Sequence, residues 1–226
     1  MRSQREMRGD AAPRPGGPPG WRRPFVRPPD DPPSTSRLFV AVPLAENVRT
    51  AIRELMETVA GAPIDERAHG QPRWVSVEGL HLTLRFLGAT PDDRQHDLAV
   101  ALAATVQGAA PFRVVLSGGG AFPNPGRPRV LWIGIAEGAA ELADLARRLE
   151  TELKPLGWPP EGRPFAPHLT LARTDGVPGA DERARRLVEA AMDLQLAWEA
   201  DRLVLYKSVL GRGPARYEAL AEAPIS

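Results

Sequence analysis

From position 37 onward the apolar residues fall into two alternating rhythms, one of period two and one of period three to four. "RLFVAVPL" (37–44) is a short β-branched and aromatic run closed by Pro43, which predicts a buried strand. "AENVRTAIRELMETVAG" (45–61) then sets Val48, Ile52, Leu55, Met56 and Val59 on one helical face, with Gly61 as its stop. "LHLTLRFLG" (80–88) predicts a second strand. "TPDDRQHDLAVALAATV" (90–106) predicts a helix with Thr90 as N-cap, Pro91 at the first helical position, and Leu98, Leu102 and Val106 in its stripe. "FRVVLSGGGAF" (112–122) predicts a further strand running into a glycine-rich turn.

The same order then returns. "PRVLWIGI" (128–135) predicts a strand, and "AELADLARRLETELKPLG" (140–157) a helix with Leu142, Leu145, Leu149 and Leu153 on one face. "PHLTLAR" (167–173) predicts a strand, "GADERARRLVEAAM" (179–192) a helix and "DRLVLYKSVL" (201–210) a strand. Each half runs strand, helix, HLTL strand, helix, strand, with the turn-rich "PNPGRPR" (123–129) between them. The pattern implies an internal duplication of α+β class. Its expected form is bilobal, with an antiparallel sheet and helices in each lobe, halves of about 37–122 and 128–222, and a pseudo-two-fold axis.

Residues 1–36 do not share this pattern. They hold nine of the chain's 25 prolines, and proline both lacks the N–H and fixes φ, so an extended, disordered tail is expected there. The tail carries a net charge of +3, which leaves −2 on the rest of a chain whose total is +1. Bulk charge therefore does not mark a nucleic-acid binder. There is no cysteine, which excludes disulfides, thiolate metal sites and a cysteine nucleophile. No apolar run approaches the roughly 20 residues of a membrane span, and no apolar segment follows the basic N-terminus. The expectation is a cytoplasmic chain with no membrane contact.

Chemistry enters through the repeated tetrapeptide. Residues i and i+2 of a strand share a face, so His81 projects with Thr83 while Leu82 and Leu84 turn to the core. His168 and Thr170 do the same against Leu169 and Leu171. The sequence has four His and nine Thr, so chance would supply His-x-Thr only about a sixth of a time, and two matched copies demand a joint explanation. Two opposed imidazoles divide acid and base roles near neutral pH. Two hydroxyls beside them donate to phosphoryl oxygens, which suits cleavage of a phosphodiester. Two His without a convergent third ligand make a poor zinc site, so no cofactor is expected.

"RLFVAVPL", "LHLTLRFLG", "AFPNPGRPRVLWIGI", "RPFAPHLTLAR" and "LYKSVLGRGPARYEAL" together resemble the bacterial and archaeal RNA 2′,3′-cyclic phosphodiesterases. That group, formerly called 2′-5′ RNA ligases, lies within the two-histidine phosphoesterase superfamily. The resemblance spans 37–222. It implies motifs facing a central cleft and metal-independent hydrolysis of a terminal 2′,3′-cyclic phosphate to a 2′-phosphomonoester. It further implies His81 as proton donor, His168 as proton acceptor, Thr83 and Thr170 on the phosphoryl oxygens, Arg173 on the phosphate and Phe86 stacked on the terminal base. The implied partners are RNA ends or small 2′,3′-cyclic nucleotides, and the expected state is a monomer.

Arg173 and Phe86 each lie five residues past their histidine, so a regular strand turns both away from it; a twist or bulge is needed. Arg127 and Arg129 read as a solvated loop, with RNA backbone contact as the alternative. His69 and His96 have no Thr partner and receive no role. "SGGGAF" (117–122) lacks the Gly-Lys-Ser/Thr of a phosphate-binding loop. Two competing readings remain: a phosphodiesterase or 2′-5′ ligase acting on another RNA-type phosphodiester, and a non-catalytic RNA-end binding module.

Overall fold

A computed structural model describes residues 34–61, 72–174, 177–209 and 215–226. The expected tail lies outside them except for its last three residues, and His69 lies outside them altogether. Strand β1 (Thr35–Pro43) buries Leu38, Val40 and Val42 and leads into α1 (Glu46–Ala60). The five apolar residues expected on one face of α1 are all buried, and Gly61 ends the helix in the left-handed conformation (φ 72°). There follow β2 (Arg73–Trp74), β3 (His81–Pro91), α2 (Gln95–Val106), β4 (Phe112–Phe122) and β5 (Val130–Glu137). The chain continues as α3 (Ala139–Leu153), β6 (Leu169–Arg173), α4 (Ala180–Ala190), β7 (Leu196–Ala200), β8 (Arg202–Val209) and β9 (Arg216–Pro224). The class is α+β, with two antiparallel sheets. Among the described residues no helix is long and apolar enough to cross a membrane.

Besides the glycines of "SGGGAF", which form no turn but continue β4 against β5, two expectations need correction. Thr90 is not an N-cap. It is fully buried in β3 opposite Ser36, and α2 begins only at Gln95, after one turn of 3₁₀ helix. The cause is the early start of β1: pairing at Thr35 and Ser36 draws β3 out to Pro91. The Ser34 and Ser36 hydroxyls, each 2.6 Å from Asp92, tie the junction and hold that carboxyl below its ordinary range.

The second correction is topological. One sheet has the order β3-β1-β8-β9 and the other β2-β6-β5-β4-β7. The last strand of the first half, β4, thus lies in the sheet of the second motif. Strands β8 and β9 of the second half lie in the sheet of the first. The two lobes are therefore not the two sequence halves, because each half lends strands to the other's sheet. Helices interleave in the same way: α1 packs on α4 and β7, while α2 packs on α3, β8 and β9. A single apolar core runs through all of it, from Leu38 and Ile52 to Leu149, Leu187 and Leu203.

Candidate active site

Each motif is anchored by the leucines that alternate with its polar residues. Leu82 and Leu84 are 2% and 5% exposed, and Leu169 and Leu171 are fully buried, while His81, Thr83, His168 and Thr170 remain partly open. The motif strands β3 and β6 belong to different sheets and touch each other. Both imidazoles are held alike. Nδ1 of His81 lies 2.6 Å from the Gly79 carbonyl, and Nδ1 of His168 lies 2.8 Å from the Ala166 carbonyl, in each case two residues upstream. Since a carbonyl only accepts, Nδ1 must carry hydrogen in both rings. Nε2 is then the nitrogen that exchanges protons.

The parity problem of Phe86 and Arg173 is solved twice by one device. In the β1–β3 register Ala41 faces Thr83 but Val40 faces Arg85, leaving Leu84 as an extra residue. In the β5–β6 register Trp132 faces Thr170 but Leu131 faces Ala172, leaving Leu171 as an extra residue. A bulge at the last leucine of each HLTL shifts the alternation by one. Phe86 therefore faces Phe39, at a ring separation of 5.9 Å, and is 60% exposed. Arg173 shares the side of Thr170. The two residues occupy equivalent places in the duplicated strands, one aromatic and one cationic.

Thr83, Phe86, His168, Thr170 and Arg173 line a cleft of about 1860 Å³. His81 is recessed from that lining. Its ring packs on Phe39 at 4.6 Å and meets Tyr217 edge-on at 5.2 Å. Burial there outweighs the Gly79 hydrogen bond and pushes His81 down from 6.5 to about 4. His168 has its own edge-on aromatic, Phe122 at 5.2 Å, with Trp132 at 6.5 Å. The glycines of "SGGGAF" make that arrangement possible. A Cβ on Gly120 would lie 2.3 Å from the Trp132 ring, and one on Gly119 would lie 2.7 Å from the Leu187 carbonyl oxygen on α4.

The profile of the 2′-5′ RNA ligase superfamily matches residues 37–212. The chain belongs to that superfamily. It is 34% identical over 191 residues to a Geobacillus stearothermophilus protein named RNA 2′,3′-cyclic phosphodiesterase, covering 84% of this chain and 57% of that one. The match thus takes in little more than half of that relative. Among solved structures, TT0787 of Thermus thermophilus aligns at TM-score 0.66 and 32% identity, over 84% of this chain and 97% of the other. E. coli LigT complexed with 3′-AMP aligns at TM-score 0.63 and 26% identity, over 85% and 99%.

Several residues that shape this cleft carried no sequence signal of their own. Tyr217 comes from the exchanged strand β9, and burial raises its phenol while the charge of Arg173 opposes the shift. A Cβ on Gly79 would strike the Tyr217 ring at 2.8 Å, so the glycine before the first motif is what admits the tyrosine. Arg85 is buried and pairs with Glu150 at 3.3 Å and Glu161 at 2.9 Å, and it also donates to the Pro159 carbonyl. Trp158 Nε1 donates to the Leu87 carbonyl at 3.2 Å. These links tie the first motif strand to the segment that leads into His168. His96 sits on exposed helix surface, away from the cleft lining. Among the described residues no three of His, Cys, Asp and Glu gather closely enough to hold a metal ion.

Proposed function

We propose that this chain hydrolyses the terminal 2′,3′-cyclic phosphate of RNA to a 2′-phosphomonoester, using His81 and His168 as its proton-transfer groups and no metal. The observation that carries this reading is the paired arrangement of the imidazoles. Each is fixed through Nδ1 by a carbonyl two residues back, with Nε2 left for proton transfer and a threonine two residues on. His168 Nε2 takes a proton from water as its oxygen attacks phosphorus. The P–O3′ bond breaks, and His81 Nε2–H delivers a proton to the departing O3′. Thr83, Thr170 and Arg173 stabilise the phosphoryl oxygens as charge accumulates on them.

His81, at about 4 in the free protein, is neutral at pH 7. Its role as proton donor therefore depends on the substrate. A phosphodiester anion beside the ring favours the imidazolium and raises its pKa in the complex. Phe86, exposed at the cleft and set on the Phe39 ring, offers a face on which the terminal base stacks. A site that only held RNA ends would need cations and hydroxyls, not two imidazoles each leaving Nε2 for a proton.

The deciding experiment incubates the protein, in excess EDTA, with RNA ending in a 2′,3′-cyclic phosphate. The expected product is heavier by one water and loses its phosphate to phosphatase as a 2′-monoester. A 3′-monoester, or activity that EDTA abolishes and added metal restores, would refute the proposal. Joining to a 5′-hydroxyl end is the same attack with that hydroxyl in place of water, forming P–O5′ and breaking P–O3′. Adding a 5′-hydroxyl RNA to the assay reads it as a 2′-5′-linked product.

A further inference from the structure

Most arginines among the described residues are paired with a neighbouring carboxylate. Arg49, Arg53, Arg94, Arg113, Arg148, Arg185, Arg186 and Arg202 each lie within 4 Å of a carboxylate. Six arginines among the described residues, Arg37, Arg127, Arg129, Arg163, Arg173 and Arg216, have no ion pair, and four of these six line the cleft. The acids of the cleft are already taken: Glu150 and Glu161 pair with Arg85, and Asp181 with Arg185. Glu150 and Glu161 share one cation, but the lining as a whole sets six arginines against three acids, so its net charge is positive. A terminal cyclic phosphate carries one negative charge, and the site proposed above meets it with Arg173 and two threonines. Arg127, Arg129 and Arg163 exceed that need.

We infer that Arg127, Arg129 and Arg163 form a second anion subsite that holds internucleotide phosphates upstream of the scissile one, so that the preferred substrate is a single-stranded RNA end and not a mononucleotide. This rests on the function proposed above. Two further observations support it. The cleft, at about 1860 Å³, exceeds the roughly 300–1,000 Å³ of a pocket for one small ligand. The β4–β5 loop is also pinned at several points. Asn124 Oδ1 accepts from the Gly126 and Arg127 amides at 3.1 Å, and the Arg129 amide donates to Phe122 O at 2.7 Å. The buried Thr174 donates through its hydroxyl to Pro128 O at 2.7 Å and through its amide to Arg129 O at 2.9 Å. A backbone held this firmly presents its guanidinium groups with less ordering cost than a free loop would.

The test compares wild type with the Arg127→Gln/Arg129→Gln double variant and with Arg163→Gln. The substrates are a 2′,3′-cyclic mononucleotide and a short single-stranded oligoribonucleotide with the same cyclic terminus, each assayed across a salt series. Wild-type kcat/KM should fall more steeply with salt on the oligomer than on the mononucleotide. In the double variant, oligomer kcat/KM should drop about tenfold or more, and its log–log salt slope should flatten by about 0.7 for each phosphate left without its arginine. Mononucleotide turnover should stay within about twofold of wild type. Equal losses on both substrates would place these arginines at the scissile phosphate or in the fold, and unchanged oligomer kinetics would return them to a solvated loop; either result overturns the inference. Anisotropy with the same oligomer ending in a 3′-phosphate separates this from failure of the catalytic proposal. A protein inactive on both substrates should still bind that RNA, more weakly in the variants, and equal binding would overturn the subsite by itself.

Discussion

At the scale of single residues, His81 makes the most testable statement. Its folded-state value of about 4 lies below the unfolded 6.5, so between these limits the unfolded chain binds more protons than the folded one. The stability it contributes is fully present above pH 6.5 and is lost as pH falls towards 4, by about 3 kcal/mol in total. Urea unfolding of wild type and His81→Gln at pH 7 and pH 4.5 should show the wild type losing more stability on acidification. Parallel slopes would place the ring in a more hydrated setting. In turnover, the limb of the kcat/KM profile near pH 4 should vanish in His81→Gln. His81→Ala and His168→Ala should each lower the rate by about 10²–10⁴, and the double variant should lose far less than the product of the two. Thr83→Val and Thr170→Val keep the shape but remove a donor, so each should cost about tenfold or more in kcat. The histidines and threonines were legible because the motif is spelled twice. The proper facing of Phe86 and Arg173 was not, because a bulge at Leu84 and Leu171 leaves no mark on a period-two pattern.

At the scale of elements, apolar periodicity located the four α-helices of the described residues, since each must bury a stripe against a sheet. It failed where partner pairing overrode it. Thr90-Pro91 has the composition of a helix start, yet the extra pairing of Thr35 and Ser36 keeps it in β3. It also passed over β9, whose sequence "RYEALAEAP" lacks a continuous apolar side and leaves much of the strand exposed. The glycines of β4 show how packing, and not phosphate chemistry, selects a glycine run. Gly120→Ala puts a methyl into the Trp132 ring, which must then shift, and that ring lies against Phe122 and 6.5 Å from His168. The expected cost is about 1–3 kcal/mol, together with a fall in kcat. Gly118 has φ 68° but open space around its Cβ position, so Gly118→Ala should cost only about 1 kcal/mol of backbone strain and leave kcat intact. A paired comparison of melting temperature and kcat would separate the two. Equal kcat in both variants would show that Trp132 does not help to set His168.

At the scale of the whole molecule, the duplication was legible but the exchange between its halves was not, because strand order along the chain is silent about which sheet a strand enters. The exchange has a thermodynamic consequence. A fragment ending in the 123–129 loop keeps β1 to β4, α1 and α2, but β1 then lacks β8, and β4 lacks both β5 and β7. The apolar face of α1 loses α4, and that of α2 loses α3 and β9. What remains is chiefly the β1–β3 pair, and two strands without a third are at best marginal in water. The complementary fragment is no better off, because β8 and β9 have lost β1. Had the lobes been contiguous halves, each fragment would retain its own sheet and core. Fragments 34–125 and 126–226, made separately, should therefore show no cooperative unfolding by circular dichroism. Expressed together, they should assemble into a complex that melts cooperatively and turns over the cyclic phosphate. If fragment 34–125 alone melts in a single sharp transition with wild-type-like helix content, the exchanged strands are dispensable to the first lobe. The interleaved topology would then not be what holds the two motifs across one cleft.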